Sequence, residues 1–307
     1  MKSSSLDLLL KDPVAVVCHD AGATNIIINW LKVMPKITVR VHLSGPAKEL
    51  WYRAYPDTIN HSLDDALQGA AMLLSGTGWA SDLEYDARNI ASSKGIFSVG
   101  VVDHWVNYES RFIRGGRAVY PNEIWVVDEF GYSLASENFP SVRIRLLPNC
   151  YLDEQVRLIK SLQKDSSVNP YVVNILYALE PIRVVWREGE ASSGEFQALD
   201  YFLANLHKIT AGSICIKLRL HPSDRPSKYF DWVNRQSPDI TLEISEGRSL
   251  AEDVAWSNIV IGCQTYVLII ALSAGKRVVS SLPPYAPASL IPYPGIEELR
   301  EKLDGSI

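Results

Sequence analysis

Short apolar runs rich in valine and isoleucine alternate along this chain with longer segments in which apolar residues recur at helical spacing. The runs predict buried strands, and the longer segments predict helices. In the first half we place strands at 13–18, 37–43, 71–75, 96–102 and 123–127, and helices at 25–34, 46–55, 62–69 and 81–93. Because parallel neighbouring strands need a crossover connection, this alternation predicts a doubly wound parallel sheet.

The alternation resumes after a charged amphipathic helix at 151–164 and a polar segment at 165–170 that has the composition of a linker. In the second half we place strands at 182–186, 214–220, 240–244, 259–262 and 276–281, and helices at 194–207, 228–234, 250–256 and 266–274. This pattern predicts an α/β protein of two facing doubly wound, Rossmann-like domains, residues 1–167 and 168–307.

The composition narrows the class of protein. Of the 307 residues, 47% are hydrophobic and 21% charged, and the formal net charge is −5. This balance suits a globular protein and argues against a nucleic-acid partner, since nucleic-acid binders are usually basic. No apolar stretch has membrane-spanning length and no signal peptide is evident, so we expect a cytoplasmic protein whose membrane contacts, if any, are peripheral. The four cysteines are far apart, which indicates free thiols and no zinc site.

The most informative pattern begins where a predicted strand ends at Arg219, followed by His221 and Pro222. Further along the chain another strand runs into the polar turn Gln264-Thr265, which opens a helix. The amino terminus of a helix can bind anions, and arginine and histidine can add charge-assisted hydrogen bonds. We therefore predict that these five residues bind a nucleotide phosphate, although an ordinary helix cap at Thr265 gives the same pattern.

Two polar turns follow strands of the first half. Asp20 follows the first strand and is predicted to be a general base, with a helix cap as the equally consistent alternative. Thr77 lies in a Gly-Thr-Gly turn whose backbone N–H groups could bind a carboxylate or phosphate of the acceptor.

The loop after the strand at 96–102 is dense in functional side chains: Asp103, His104, Trp105, Glu109 and Arg111. Aromatic and polar groups in this mixture suit a sugar site, and Asp103 with His104 could also form an acid–base pair. A loop that only packs its aromatic side chains would have a similar composition.

Glu188 follows the strand predicted at 182–186 and is a candidate for binding a ribose or acceptor hydroxyl, with a solvated acidic turn as the alternative. The chain has no GxGxxG, GxSxG, Walker or HExxH motif, and no DxD triplet that would hold a metal-bound nucleotide sugar. We therefore expect a metal-independent protein without a bound cofactor.

With His221-Pro222 and the later Thr265, the chain resembles GT-B glycosyltransferases, in particular bacterial CMP-sialic acid and CMP-Kdo (nonulosonate) transferases. The resemblance implies that His221 and Thr265 bind the phosphate of a cytidine nucleotide. The chain departs from the family at Gln264, since paired serines are common in that turn. Asp20-Ala21-Gly22 matches the acidic motif of the family's amino-terminal domain only in part.

The resemblance implies transfer of a CMP-activated nonulosonic acid or Kdo to a glycan acceptor in bacterial surface polysaccharide synthesis. The donor is then a substrate rather than a cofactor, and Asp20 or Asp103 removes the acceptor proton or, in a retaining reaction, acts as nucleophile. UDP-sugar 2-epimerases and CDP-polyol phosphotransferases of the same fold, and a non-catalytic sugar-nucleotide binder, remain alternatives. The pattern makes no prediction of oligomeric state.

Overall fold

A computed structural model of the chain describes residues 9–34, 37–164, 171–236 and 240–304. Its contacts divide the chain into two compact domains, residues 1–151 and 152–307. The linker predicted at 165–170 lies outside the described residues, and the boundary predicted between residues 167 and 168 stays a prediction.

The first domain is built on a six-stranded parallel sheet and carries a small antiparallel hairpin. Its strands are β1 (Val14–Cys18), β2 (Val39–Leu43), β3 (Met72–Ser75), β4 (Phe97–Val101), β5 (Ile113–Arg114), β6 (Arg117–Ala118), β7 (Glu123–Val126) and β8 (Arg143–Leu146). The order in the sheet is β2-β1-β3-β4-β7-β8, and β5 pairs with β6. The chain winds from β1 outward to β2 and then returns to β3 on the other side of β1, so a topological switch point lies between β1 and β3.

Helices cover both faces of the first sheet. They are α1 (Ala21–Lys32), α2 (Gly45–Ala54), α3 (Leu63–Leu67), α4 (Leu83–Ser93) and α5 (Glu129–Asn138). Helix α6 (Cys150–Lys164) begins at the domain boundary, and most of its residues belong to the second domain. Val16 packs with α1 and α2 on one face, whereas Ala15 and Val17 pack with α3 and α4 on the other. Because both faces of β1 are buried, its sequence is apolar at every position.

The second domain repeats this architecture. Its strands are β9 (Val172–Ala178), β10 (Ser213–Arg219), β11 (Thr241–Ile244), β12 (Ile259–Gly262), β13 (Arg277–Ser280) and β14 (Glu297–Glu298). All pair in parallel in the order β11-β10-β9-β12-β13-β14, so the switch point lies between β9 and β12.

The helices of the second domain are α7 (Gly194–Ala204), α8 (Leu206–Ile209), α9 (Ser227–Asn234), α10 (Leu250–Trp256), α11 (Tyr266–Ser273) and α12 (Glu301–Asp304). Ile175 and Tyr177 of β9 pack with α7 and α9 in one buried cluster. Helix α10 begins with a capping box between Ser249 and Glu252. Helix α11 is apolar around nearly its whole circumference, as expected of a buried helix.

The strand predicted at 182–186 is wrong. The first strand of the second domain is β9, and 182–186 is a loop in which Val184 and Val185 are exposed. Both segments are rich in β-branched residues, but only β9 pairs with neighbours on both sides, β10 and β12. Strand β8 was not predicted, and the helix predicted at 194–207 is interrupted at Asn205.

The predicted fold class, α/β with two doubly wound parallel sheets, is confirmed. The predicted free thiols are also present, with Cys18 and Cys263 buried and Cys150 and Cys215 partly so. Within the described ranges, no helix combines the length and apolar character needed to cross a bilayer.

Candidate functional site

The turn after β1 places an imidazole and a carboxylate at the carboxyl edge of the first sheet. Oδ1 of Asp20 lies 2.6 Å from Nδ1 of His19, and the two side chains are 35% and 24% exposed. Asp20 precedes α1 but makes no side-chain cap bond, so its carboxylate is directed to His19 instead. The pair lies at the switch point, where doubly wound sheets bind ligands, and it can accept a proton from a hydroxyl group.

A second, fully buried carboxyl group lies beside this pair. Oε1 of Glu84, in the first turn of α4, accepts a hydrogen bond from the backbone N–H of His19 at 2.9 Å. Oε2 has no hydrogen-bond partner among the described residues. Burial raises the pKa of Glu84 to about 7, with a further contribution from the negative charge of Asp20, while the His19 hydrogen bond and the charge of Arg88 oppose the shift. Near neutral pH, Glu84 therefore carries a proton for part of the time.

The Gly-Thr-Gly turn after β3 makes room for these carboxyl groups. A Cβ atom on Gly78 would lie 2.0 Å from Oδ2 of Asp20 and 2.9 Å from Oε2 of Glu84. A Cβ atom on Gly76 would lie 2.3 Å from Oε1 of Glu84. The turn was predicted to bind an external anion, but its glycines instead admit two carboxyl groups of the domain itself.

Asp103 is held at the same sheet edge by Arg111. Nη1 of Arg111 donates to Oδ1 of Asp103 at 3.0 Å and to Oγ1 of Thr77 at 3.1 Å. Thr77 is buried and donates its own hydroxyl to the carbonyl of Val101. Asp103 also lies against Gly22 in the first turn of α1. Arg111 and Thr77 thus position Asp103, and their buried placement does not support direct contact with a sugar.

Arg88 on α4 forms hydrogen bonds with two separate segments at this sheet edge. Its guanidinium is buried and donates to the carbonyl of Gly76 at 2.9 Å, to Oγ of Ser75 and to the carbonyl of Arg111. Burial lowers the pKa of Arg88 to about 10, so it stays charged at neutral pH. The end of β3 and the loop that carries Arg111 are therefore anchored to one helix.

The remaining residues predicted in this loop have different surroundings. Trp105 is buried, and its Nε1 donates to Oδ1 of Asp128, the cap of α5. His104 packs its ring against Trp105 and accepts a hydrogen bond from the Trp105 backbone N–H on Nδ1. Glu109 is exposed. Among the four residues predicted to contact a sugar, Glu109 is the exposed one.

In the second domain, the amino terminus of α11 already holds a carboxylate. Oε1 of Glu180, which follows β9, accepts from the backbone N–H groups of Cys263 at 3.0 Å and Gln264 at 2.6 Å. Enclosure of this carboxyl group raises its pKa to about 7, against the opposing effect of the hydrogen bonds from the turn, including one from the Thr265 N–H. The backbone N–H groups predicted to bind a phosphate thus hold the carboxyl group of Glu180, and phosphate binding at this turn stays a prediction.

Thr265 acts as the predicted helix cap. Its Oγ1 accepts a hydrogen bond from the Val267 N–H at 3.3 Å. Gln264 uses its side-chain oxygen to accept from the Leu290 N–H at 3.4 Å. The turn Gln264-Thr265 is therefore ordered by the contacts of its own domain.

Arg219, at the end of β10, pairs with a buried acid. Its Nη1 lies 2.5 Å from Oδ2 of Asp253 on α10, a residue with no exposed surface. Asp253 also accepts from Nε of Arg248 at 2.9 Å and from Oγ of Ser245. These contacts give Arg219 a structural role that the sequence pattern did not reveal.

His221 lies beyond the same strand and is partly exposed. Its Nδ1 accepts from the Ser223 backbone N–H at 3.2 Å and contacts Oγ of Ser223 at 2.7 Å. Because a backbone N–H can only donate, the proton of a neutral His221 is on Nε2. His221, Glu180 and the turn before α11 follow three adjacent strands, β10, β9 and β12, at one edge of the sheet.

The other two predicted nucleotide contacts are surface residues. Pro222 is exposed beside His221, and Glu188 is exposed in the loop between β9 and α7. Glu188 was chosen because it was predicted to follow a strand at 182–186 directly. Since that segment is a loop, the reason for choosing Glu188 no longer holds.

Sequence reasoning missed Glu180 and Glu84 for different reasons. A strand placed at Val172–Ala178 would have put Glu180 in the post-strand turn at the switch point. Glu84 gave no comparable signal, because acidic residues are common in the first turn of exposed helices as well.

No protein-family model matches the chain, and a comparison with curated proteins finds no match. Solved structures share its fold. A UDP-GlcNAc 2-epimerase from Methanocaldococcus jannaschii has a TM-score of 0.60 at 10% identity, over 95% of this chain and 90% of that one. The S. aureus MnaA–UDP co-structure has a TM-score of 0.58 at 11% identity, and the match covers 88% of this chain and 79% of that one. The UDP-GlcNAc 2-epimerase from Neisseria meningitidis bound to UDP-GlcNAc has a TM-score of 0.54 at 13% identity, and the match covers 88% of this chain and 82% of that one.

At these identities the likeness shows a common fold, the GT-B class of two Rossmann-like domains. The predicted GT-B fold is thereby confirmed.

Proposed function

We propose that the protein is a glycosyltransferase that moves a sugar from a nucleotide donor to a hydroxyl group of a glycan. The observation that carries this proposal is the Asp20–His19 pair, 2.6 Å apart and partly exposed at the switch point of the first sheet. In the reaction, the acceptor oxygen bonds to the anomeric carbon of the sugar, and the bond from that carbon to the donor phosphate breaks. Asp20 takes the acceptor proton, and the phosphate leaves with the electron pair.

The second domain has the groups that suit a departing nucleotide. His221 presents a partly exposed imidazole with its proton on Nε2. At the same sheet edge lie the backbone N–H groups of the turn before α11, which Glu180 occupies until a phosphate displaces it. Such preorganised donors stabilise the negative charge that develops on the phosphate. The resemblance of His221, Pro222 and Thr265 to CMP-sugar transferases supports a CMP-activated nonulosonic acid or Kdo as donor.

Thermal-shift measurements with CMP, CDP, UDP and GDP test the donor class, because a ligand of the native state raises the apparent melting temperature. We expect the largest shift with CMP. A shift confined to UDP would contradict a CMP donor, and no shift with any nucleotide would contradict a nucleotide-dependent enzyme. Transfer itself is tested by acceptor-dependent release of CMP from CMP-sialic acid and CMP-Kdo.

Replacing His221 by alanine is expected to lower kcat for transfer by about 10- to 10³-fold, the loss typical of a preorganised donor to developing charge. The folded variant should show the loss in steady-state turnover with the preferred donor. His207→Ala, at an exposed histidine on α8, is the matched control and should leave turnover unchanged. Equal turnover of His221→Ala and wild type would refute the role of His221.

Glu180→Gln is expected to tighten binding of the nucleoside monophosphate several-fold at pH 8, because a neutral amide repels phosphate less than a carboxylate does. The raised pKa of Glu180, about 7, gives the sign of the pH effect. Wild-type affinity should increase as the pH falls through 7, whereas the variant should lack that increase. Calorimetric titration with CMP at several pH values measures the affinity of wild type and of the variant.

Glu190→Gln is the control for this comparison, since Glu190 is exposed in the loop that follows Glu180. The same gain in both variants would indicate a general charge effect and would contradict competition at the α11 terminus.

A UDP-sugar 2-epimerase is the second candidate. The similar structures with UDP or UDP-GlcNAc support it, and so does the pairing of Asp20 with a carboxyl group, Glu84, that carries a proton near neutral pH. Epimerisation removes a proton from one face of a carbon and returns a proton to the other, which needs an acid as well as a base. Conversion of UDP-N-acetylglucosamine to a new UDP sugar without any acceptor, followed by NMR, would favour it over transfer.

A further inference from the structure

We propose that Glu84 is a positioning residue for Asp20: while neutral, its Oε2–H group donates to Oδ2 of Asp20 and fixes that carboxylate, and on ionisation the hold is lost. This inference rests on the proposed function, in which Asp20 is the base.

The geometry places Oε2 of Glu84 close to Asp20. Oε1 of Glu84 is fixed by the backbone N–H of His19 at 2.9 Å. Oε2 of Glu84 and Oδ2 of Asp20 lie 2.9 Å and 2.0 Å from the point where a side chain of Gly78 would begin. The two carboxyl groups are therefore neighbours across a glycine, and Glu84 has no exposed surface from which water could satisfy Oε2.

An ion pair does not account for the buried carboxyl group. Arg88, on the same helix, uses its two terminal nitrogens for Ser75, Gly76 and Arg111 rather than for Glu84. A buried carboxylate without a close cation is costly, so the neutral form is favoured.

The charged and titratable groups around Glu84 act in opposite directions. Cys18 and Asp20, on β1 and its turn, and Arg88, on α4, interact with it electrostatically, as does His19. The turn after β3 contributes glycines and Thr77, and no charge. Burial and the neighbouring negative charge of Asp20 both disfavour the ionised form of Glu84, so Glu84 keeps its proton for part of the time near neutral pH.

The test is the pH dependence of kcat/KM for wild type and Glu84→Gln. Above pH 7 the protonated fraction of Glu84 falls about tenfold per pH unit, so wild-type kcat/KM should fall toward that slope between pH 7 and 9. Glutamine keeps an N–H group for Asp20 at every pH, so the variant should lack this fall. The same alkaline slope in both proteins would overturn the proposal, and a residue with only a structural role would leave the slope unchanged.

Glu129→Gln is the control, since Glu129 also begins a helix, α5, but is exposed. Its pH profile should match that of wild type.

A second measurement does not depend on turnover and so separates failure of this inference from failure of the proposed function. The free energy of unfolding of wild type relative to Glu84→Gln should fall as the pH rises from the ordinary pKa of a glutamate, 4.5, to the raised pKa of Glu84, about 7, and should stay constant above that. In an Asp20→Asn background the midpoint of that change should move to lower pH, because the neighbouring negative charge is gone. An unmoved midpoint would show that the two carboxyl groups are not coupled and would refute the proposal, whatever the enzyme does.

Discussion

Replacing Asp253 by alanine is expected to destabilise the second domain by about 3 kcal/mol, the lower end of the range for removing one partner of a buried ion pair. Asp253 has no exposed surface and accepts hydrogen bonds from Arg219, Arg248 and Ser245. The lower end applies because Arg219 and Arg248 are partly exposed, so water can reach both after the change. Urea unfolding followed by far-UV circular dichroism measures the loss.

Asp231→Ala is the matched control, since Asp231 is an exposed aspartate on α9 of the same domain. Its free energy of unfolding should stay within about 0.5 kcal/mol of wild type. If Asp253→Ala were equally mild, the Asp253 contacts would not stabilise the domain. Arg219→Met then separates two roles: lost stability with CMP affinity retained indicates a structural arginine, and the converse indicates a nucleotide contact.

Replacing Asp20 by asparagine is expected to lower kcat for transfer by about 10²- to 10⁴-fold, because the amide cannot take the acceptor proton. The change keeps the size of the side chain, and the carboxamide oxygen can still accept from Nδ1 of His19, so the fold should persist. Steady-state turnover and the KM for the acceptor are the measurements. A large loss in kcat with little change in KM is expected of a group that acts in the transition state.

Asp103→Asn separates the two predicted bases. Asp103 is held by Arg111 at 3.0 Å, so its replacement should affect the site through that contact and cost less than Asp20→Asn. The reverse order of losses would assign the base to Asp103. Asp57→Asn, at an exposed aspartate of the first domain, should leave turnover unchanged.

The fold was largely predictable because parallel strands buried on both faces have distinctive sequences. Val14–Cys18 and Ile259–Gly262 are short apolar runs that end in polar turns, and each is a strand within one residue of its prediction. The exception, 182–186, has strand-like residues but lacks neighbours to pair with. Pairing is a long-range property, so local composition could not choose between that segment and β9.

The sequence could predict which residues lie at the sheet edge, but it could not predict which segments enclose their side chains. His221 and the turn before α11 follow strands, and their place at the sheet edge follows from the topology. The carboxyl groups of Glu84 and Glu180 have raised pKa values because other segments enclose them. Arg111 and Thr77 are buried by the same kind of long-range packing, which the local sequence could not reveal.

The buried guanidinium of Arg88 has a consequence for ligand recognition. It donates hydrogen bonds to two carbonyl oxygens from separate turns, and these bonds order the loop that carries Asp103 before substrate binds. The entropy of ordering that loop is lost during folding rather than during each encounter, so an incoming molecule keeps more of its contact energy as affinity.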